Sequence, residues 1–192
     1  MQRENGIIIG VVADLDDPEQ LGRVRVRLPH LDDQVSDWCR IASPMGGKER
    51  GWYTKPELLD EVLLACEQGD PRRIYVIGTV WSKVDPPPPD DGKKTENNWR
   101  FFRSRSGHLL KFDDTSGAER IEIEGTGGKH RILIDVSGGA IEITCSTGDI
   151  KLSAPSGKLS IDATQVEIKA TTTMSVEAGG VMTVKGKTVA IN

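Results

Sequence analysis

Ile121-Glu-Ile123, Ile132-Leu-Ile134, Ile141-Glu-Ile143, Ile150-Lys-Leu152, Leu159-Ser-Ile161, Val166-Glu-Ile168, Met174-Ser-Val176, Met182-Thr-Val184 and Val189-Ala-Ile191 follow one another in the chain. Each triplet is apolar at both ends. Their starts lie 11, 9, 9, 9, 7, 8, 8 and 7 residues apart, and the middle residue is polar or charged in seven of the nine. Alternation with period two is the mark of a strand with one buried face. Turn formers separate the triplets: Gly127-Gly128, Ser137-Gly138-Gly139, Thr147-Gly148-Asp149, Ser156-Gly157 and Gly179-Gly180. Short strands alternating with short turns predict a repeat architecture. The period is too short for a propeller blade or a leucine-rich repeat. Two apolar side chains per repeat cannot offset the entropy of ordering the rest, so this segment needs copies of itself to complete a core. Three chains, each offering a narrow apolar edge, close a triangular prism with the triplet ends from Ile121 to Val184 inside. Nine strands stacked at ~4.7 Å would make a rod of roughly 40–45 Å. The alternative is an ordinary β-meander with one wet face.

Composition divides the chain of 192 residues in two. All nine aromatic residues lie at or before Phe112, and nine of the ten prolines lie at or before Pro89. Between the halves, Asp85-Pro-Pro-Pro-Pro89 and the polar stretch to Asn98 read as a linker, with little to bury and no tolerance for helix or ladder. No apolar run approaches the ~20 residues of a spanning helix. The longest, Ile7 to Ala13, lacks the flanks of a signal peptide. A net charge of -4 gives no whole-surface attraction for nucleic acid. Cys39, Cys66 and Cys145 have no metal-ligand spacing and are expected to be reduced and mostly buried, as in a cytosolic product.

The first half reads as a small barrel. Ile7 to Val12 is an apolar run ended by the turn Asp14-Leu-Asp-Asp-Pro18. Gly22-Arg-Val-Arg-Val-Arg-Leu-Pro29 alternates strictly, with Val24, Val26 and Leu28 on one face and Arg23, Arg25 and Arg27 on the other. Residues 38–42 and 74–81 are further strand candidates. Residues 56–67 fit either state: Leu58, Val62 and Cys66 a helix face, Val62, Leu64 and Cys66 a strand, with propensity on the side of the helix. About five short strands in some 80 residues suggest an OB-fold.

An ordered set of residues carries a family resemblance: Gly6-Ile-Ile-Ile-Gly-Val-Val12, Asp17-Pro18, Gly22 to Pro29, Trp38, Ser43-Pro-Met45, Gly51-Trp52, Pro56, Asp60-Glu-Val62, Gly69-Asp-Pro71 and Val76-Ile-Gly78. It resembles the OB-fold of contractile-tail central spikes: phage baseplate assembly protein V, pyocin spikes and VgrG. Ser104-Arg-Ser-Gly-His108 through Gly117 resembles the same family's lead-in to a trimeric β-helix. The resemblance implies an all-β chain: an OB-fold domain at 1–84, a Pro-rich linker at 85–98, a transition at 99–117 and an intertwined homotrimeric needle at 118–192. It implies that Asp60-Glu-Val62 opens a strand, which decides the ambiguous segment against helix propensity. It also implies a structural spike, no enzyme, assembled in the bacterial cytoplasm into a virion or injection-particle baseplate. Such a spike pierces a target envelope on sheath contraction, and a membrane is only its transient target. The implied partners are a hub protein, supplied separately because the chain begins at the OB-fold, and the inner tube or a cargo. A PAAR-repeat tip protein would sit on the platform Val189, Ile191 and Asn192. No cofactor is expected, because His30, His108 and His130 form no His-x-His iron apex.

Bland readings compete for the chemistry-bearing residues. His108 belongs to a turn motif. Asp113-Asp114 could be an acid pair or a metal site, but a turn between strands suits it better. Glu122, Glu142 and Glu167 occupy outward triplet positions and are expected to be solvated. Arg23, Arg25 and Arg27 suit an interface with the hub or a neighbouring subunit better than a phosphate-binding face. A polysaccharide-cleaving tailspike would want exposed aromatics and paired carboxylates on the rod, which has no aromatic residue. An OB-fold nucleic-acid binder would want a basic groove beside Trp38 and Trp52.

Overall fold

The structure is a computed structural model and describes residues 6–93 and 95–190. No α-helix occurs among the described residues. The strands of the first half are β1 (Ile7–Asp14), β2 (Arg25–Leu28), β3 (Gln34–Val35), β4 (Arg40–Ile41), β5 (Gly46–Gly47), β6 (Arg50–Gly51), β7 (Glu61–Cys66) and β8 (Ile74–Thr79). Six of them form one sheet in the order β3-β2-β1-β7-β8-β4, with β5 and β6 a separate hairpin. The bridge between Val24 and Cys39 links the β2 side back to the β4 side and closes the barrel. Alternation is the reason: Val12, Val24, Val26, Leu28, Val62, Leu64, Ile74 and Val76 all point inward and are buried with Cys39. Residues 61–66 are a strand, because Val62 and Leu64 complete this core between β1 and β8. Tertiary burial overrides helix propensity here.

Gly10 lets β1 approach β7 closely. A Cβ there would lie 2.6 Å from Leu64 Cδ1 and 3.2 Å from the Arg27 carbonyl oxygen. The loop after β1 is organised by buried Asp17. Its carboxylate accepts the amides of Glu19 (3.2 Å), Leu21 (2.9 Å) and Arg23 (3.2 Å). The Arg23 guanidinium clamps it from the other side, at 2.7 Å from Oδ1 and 3.1 Å from Oδ2. This explains why an Asp-Pro pair precedes the arginine-rich strand.

The second half holds β9 (Trp99–Arg103), β10 (Leu109–Asp113), β11 (Arg120–Glu124), β12 (His130–Asp135) and β13 (Ala140–Cys145). They pair as a five-stranded antiparallel meander in sequence order. The expected division at residue 117 does not interrupt it: β10 pairs with β11 from Leu109↔Glu124 to Asp113↔Arg120. Residues 99–145 are therefore one sheet. Beyond it, residues 147–190 form a separate unit with no strand among those described. Among the described residues, the triplets from Ile150 onward, read from sequence as strands, have no ladder within a single chain. A two-residue apolar edge per repeat has nothing of its own to close against.

Candidate assembly surface

The pairing registers of the meander sort its side chains into two faces. Phe102, Leu110, Ile123, Ile132 and Ile143 form one row across the five strands, and Arg100, Phe112, Ile121, Ile134 and Ile141 the next. Nine of these ten side chains are apolar. Most of them are in water: Phe102 is 52% exposed, Ile123 51%, Ile143 60% and Ile141 74%. The exception, Arg100, is held at the margin by Asp114 at 2.8 Å. Contiguous apolar surface beyond roughly 300–600 Å² marks an interaction site.

The opposite face carries charge and yet is the buried one. Lys111, Asp113 and Glu122 are between 3% and 6% exposed, beside buried Leu133. Lys111 Nζ lies 3.2 Å from Glu122 and 4.2 Å from the centroid of the Trp99 ring. Arg131 donates to Glu122 at 3.0 Å, and Arg120 reaches Asp113 at 3.2 Å. Arg120 Nε is also 2.8 Å from Glu122 Oε1, close enough for an ion pair but not aligned as a hydrogen bond. Burial pushes the Asp113 carboxyl up. The Thr115 hydroxyl and amide, with Arg120 and Lys111, outweigh that and hold it below the usual carboxylate range. Buried charges persist only when paired in this way.

Glu122 therefore corrects the sequence expectation. It is not solvated, because three cations converge on it, whereas Glu142 and Glu167 are exposed as expected. Asp113 and Asp114 do not converge into an acid pair or metal site: the first joins the charged network and the second pairs with Arg100. His108 is structural, with Nδ1 accepting the Thr126 amide at 3.2 Å across two neighbouring turns.

The sequence-derived needle core divides between the two units. Ile121, Ile123, Ile132, Ile134, Ile141 and Ile143 share the apolar face. Ile150, Leu152, Leu159, Ile161, Val166, Ile168, Val176 and Val184 are exposed in the second unit. Of the tip platform, Val189 is 51% exposed, while Ile191 and Asn192 lie outside the described residues. Sequence reading missed Phe102, Leu110 and Phe112. The signal was present, since Leu110-Lys-Phe112 has the same apolar-other-apolar form. The three arginines expected at an interface are engaged within the barrel. Arg23 is clamped on Asp17, Arg25 donates to the Ser36 carbonyl at 2.9 Å, and Arg27 pairs with Asp33 at 2.6 Å.

Comparison with known proteins places this geometry. Residues 8–81, which hold β2 through β8 and all but the first residue of β1, match the type VI secretion system/phage-baseplate injector OB domain. This OB-domain match and the similarity to VgrG spike proteins support a contractile-tail central spike family of the VgrG type. Relatives of this VgrG-like chain include the type VI secretion system spike protein VgrG5 of Pseudomonas aeruginosa, 29% identical over 62% of the chain and 16% of the relative. VgrG4b of the same organism is 31% identical over 54% of the chain and 14% of its own length. The actin cross-linking toxin VgrG1 of Vibrio cholerae is 25% identical over 54% of the chain and 10% of its own length. The VgrG-like chain thus spans between about a tenth and a sixth of the length of these relatives.

Proposed function

We propose that this chain is the structural central spike of a contractile injection particle, built as a homotrimer and acting mechanically rather than as an enzyme. The observation that carries this is the inverted burial of residues 99–145: the apolar face is in water while the charged face is internally paired. A single chain gains nothing from that arrangement. Three meanders turned inward would bury the nine apolar side chains together and leave the charged network outside. Residues 147–190 would then acquire partners for their exposed triplets and extend the rod. Interchain pairing and a dry core make such a rod stiff along its axis, because no chain can unfold alone. On this reading the barrel meets the hub and tube, and the segment at exposed Val189 receives a PAAR-repeat cap. The rod is driven through the target envelope when the sheath contracts.

Absolute mass by light scattering tests this directly. The expected value is 63 kDa, three times the 21.0 kDa chain. Ile132→Lys with Ile143→Lys, on adjacent strands of the apolar face, should return the protein to 21.0 kDa with the barrel folded. A wild-type monomer would overturn the proposal.

A further inference from the structure

We infer that, in the assembled particle, the OB barrels of neighbouring copies lock head to tail through two different surfaces of the same barrel, an aliphatic ridge and an aromatic-lined cleft. The inference rests on the trimeric reading above and adds a second, independent contact to it.

The first surface is the outside of the β1–β7–β8 wall. Ile7, Ile9 and Ile77 are 57%, 51% and 42% exposed. Register sets Ile9 opposite Leu63 and Ile7 opposite Ala65, both half-buried, and the bulge in the β7–β8 pairing places Ile77 beside them. The alternate residues Val12, Val62, Leu64 and Val76 fill the barrel core. This wall is therefore apolar on both faces, the pattern of a strand covered on both sides.

The second surface is a cleft of about 210 Å³ in which Leu21, Ile41, Trp52 and Tyr53 stand beside the polar Arg40 and Lys55. Trp52 is 59% exposed and Tyr53 77%. The hairpin of β5 and β6 presents them, and Gly51 at φ +153° allows its tight closure: a Cβ there would lie 2.6 Å from the Met45 carbonyl oxygen. The Trp52 amide donates to that same carbonyl at 2.9 Å.

The two surfaces lie side by side around the barrel, since β4, which lines the cleft, pairs with β8. The ridge centres on β7, flanked by β1 and β8, whereas the cleft lies by the seam that Val24 and Cys39 close. One barrel cannot bring its own two surfaces together. A cyclic assembly of identical chains uses contacts of this kind, in which one patch meets a different patch on the next copy. A symmetric two-fold contact would use one patch twice and leave the other wet. The next copy's barrel is also the occupant within reach. Residues 80–98 tether each barrel to its meander, and Arg105 on the β9–β10 turn pairs with Glu57 before β7 at 3.0 Å. Joining the meanders therefore raises the effective concentration of barrel for barrel. Aliphatic Ile7, Ile9 and Ile77 then seat against the faces of Trp52 and Tyr53.

The test is cysteine cross-linking of the full chain in a Cys66→Ala, Cys145→Ser background, with buried Cys39 retained. Ile9→Cys and Tyr53→Cys are introduced separately and together, and treated with a short bismaleimide. The expected result is a ladder up to three chains on a denaturing gel for the double variant, and none for either single variant. A mass of 63 kDa (three chains of 21.0 kDa) without a ladder overturns the barrel contact and leaves the trimer standing. A two-chain band from a single variant also overturns it, because the same position of two copies would then meet across the contact. A mass of 21.0 kDa overturns both readings.

Discussion

Asp17 shows how much one side chain can organise. Hydrogen bonds from the Arg23 guanidinium, then from backbone amides, hold its carboxyl far below the ordinary carboxylate range despite its burial. Asp113, in the meander, is likewise depressed. A depressed folded-state pKa contributes stability that is present above the unfolded value and lost as pH falls toward the folded value. The melting temperature is therefore expected to be flat through neutral pH and to fall progressively below about pH 4, near the unfolded aspartate value. Asp17→Asn should lower the melting temperature at neutral pH and flatten that acid limb. Calorimetry at a series of pH values reads both. Sequence reading marked Asp17-Pro18 as a motif but could not supply its reason. The clamp joins residues 17, 19, 21 and 23 in a loop whose path only the fold defines.

At the scale of elements, β11 is the informative strand. Its sequence Arg-Ile-Glu-Ile-Glu reads as apolar in, charge out, and the alternation is correct. What a single strand cannot reveal is which of its faces is covered within one chain. The meander reverses the expectation: Glu122 is buried among Lys111, Arg120 and Arg131, while Ile123 is in water. The consequence is measurable in the monomeric Ile132→Lys, Ile143→Lys background. There Glu122→Ala should cost about 3 kcal/mol, because it takes the nearer carboxylate from buried Lys111. Ile123→Ser in the same background should cost less than about 0.5 kcal/mol, as an exposed substitution does. Urea unfolding compares the two. The opposite ranking would mean that the apolar face is covered within the single chain.

At the scale of the molecule, the chain combines a barrel with a filled core and a repeat segment whose apolar side chains face water. The first can stand alone, since Val12, Val26, Val62, Leu64 and Val76 are sealed within one copy. The second unit, residues 147–190, is exposed throughout. Its order is expected to depend on assembly. Amide hydrogen exchange should find residues 147–190 protected in the wild-type protein and fully exchanging in the monomeric double-lysine variant, with β1, β7 and β8 protected in both. Rapid exchange of 147–190 in a 63 kDa particle (three 21.0 kDa chains) would separate trimerisation from needle formation.

The amino-acid sequence alone determined the all-β class, the barrel strands and the two-residue apolar rhythm of the repeat. All of these rest on local alternation and turn chemistry, which act over a few residues. The strand at 61–66 lay at the edge of that reach: propensity favoured a helix, and burial between β1 and β8 decided for a strand. Three features came only from tertiary structure. They are the charged network around Glu122, the place of Phe102 in the apolar face, and the outward ridge of Ile7, Ile9 and Ile77. Each depends on registers between strands distant in sequence, where a slip of one residue exchanges the two faces of a sheet.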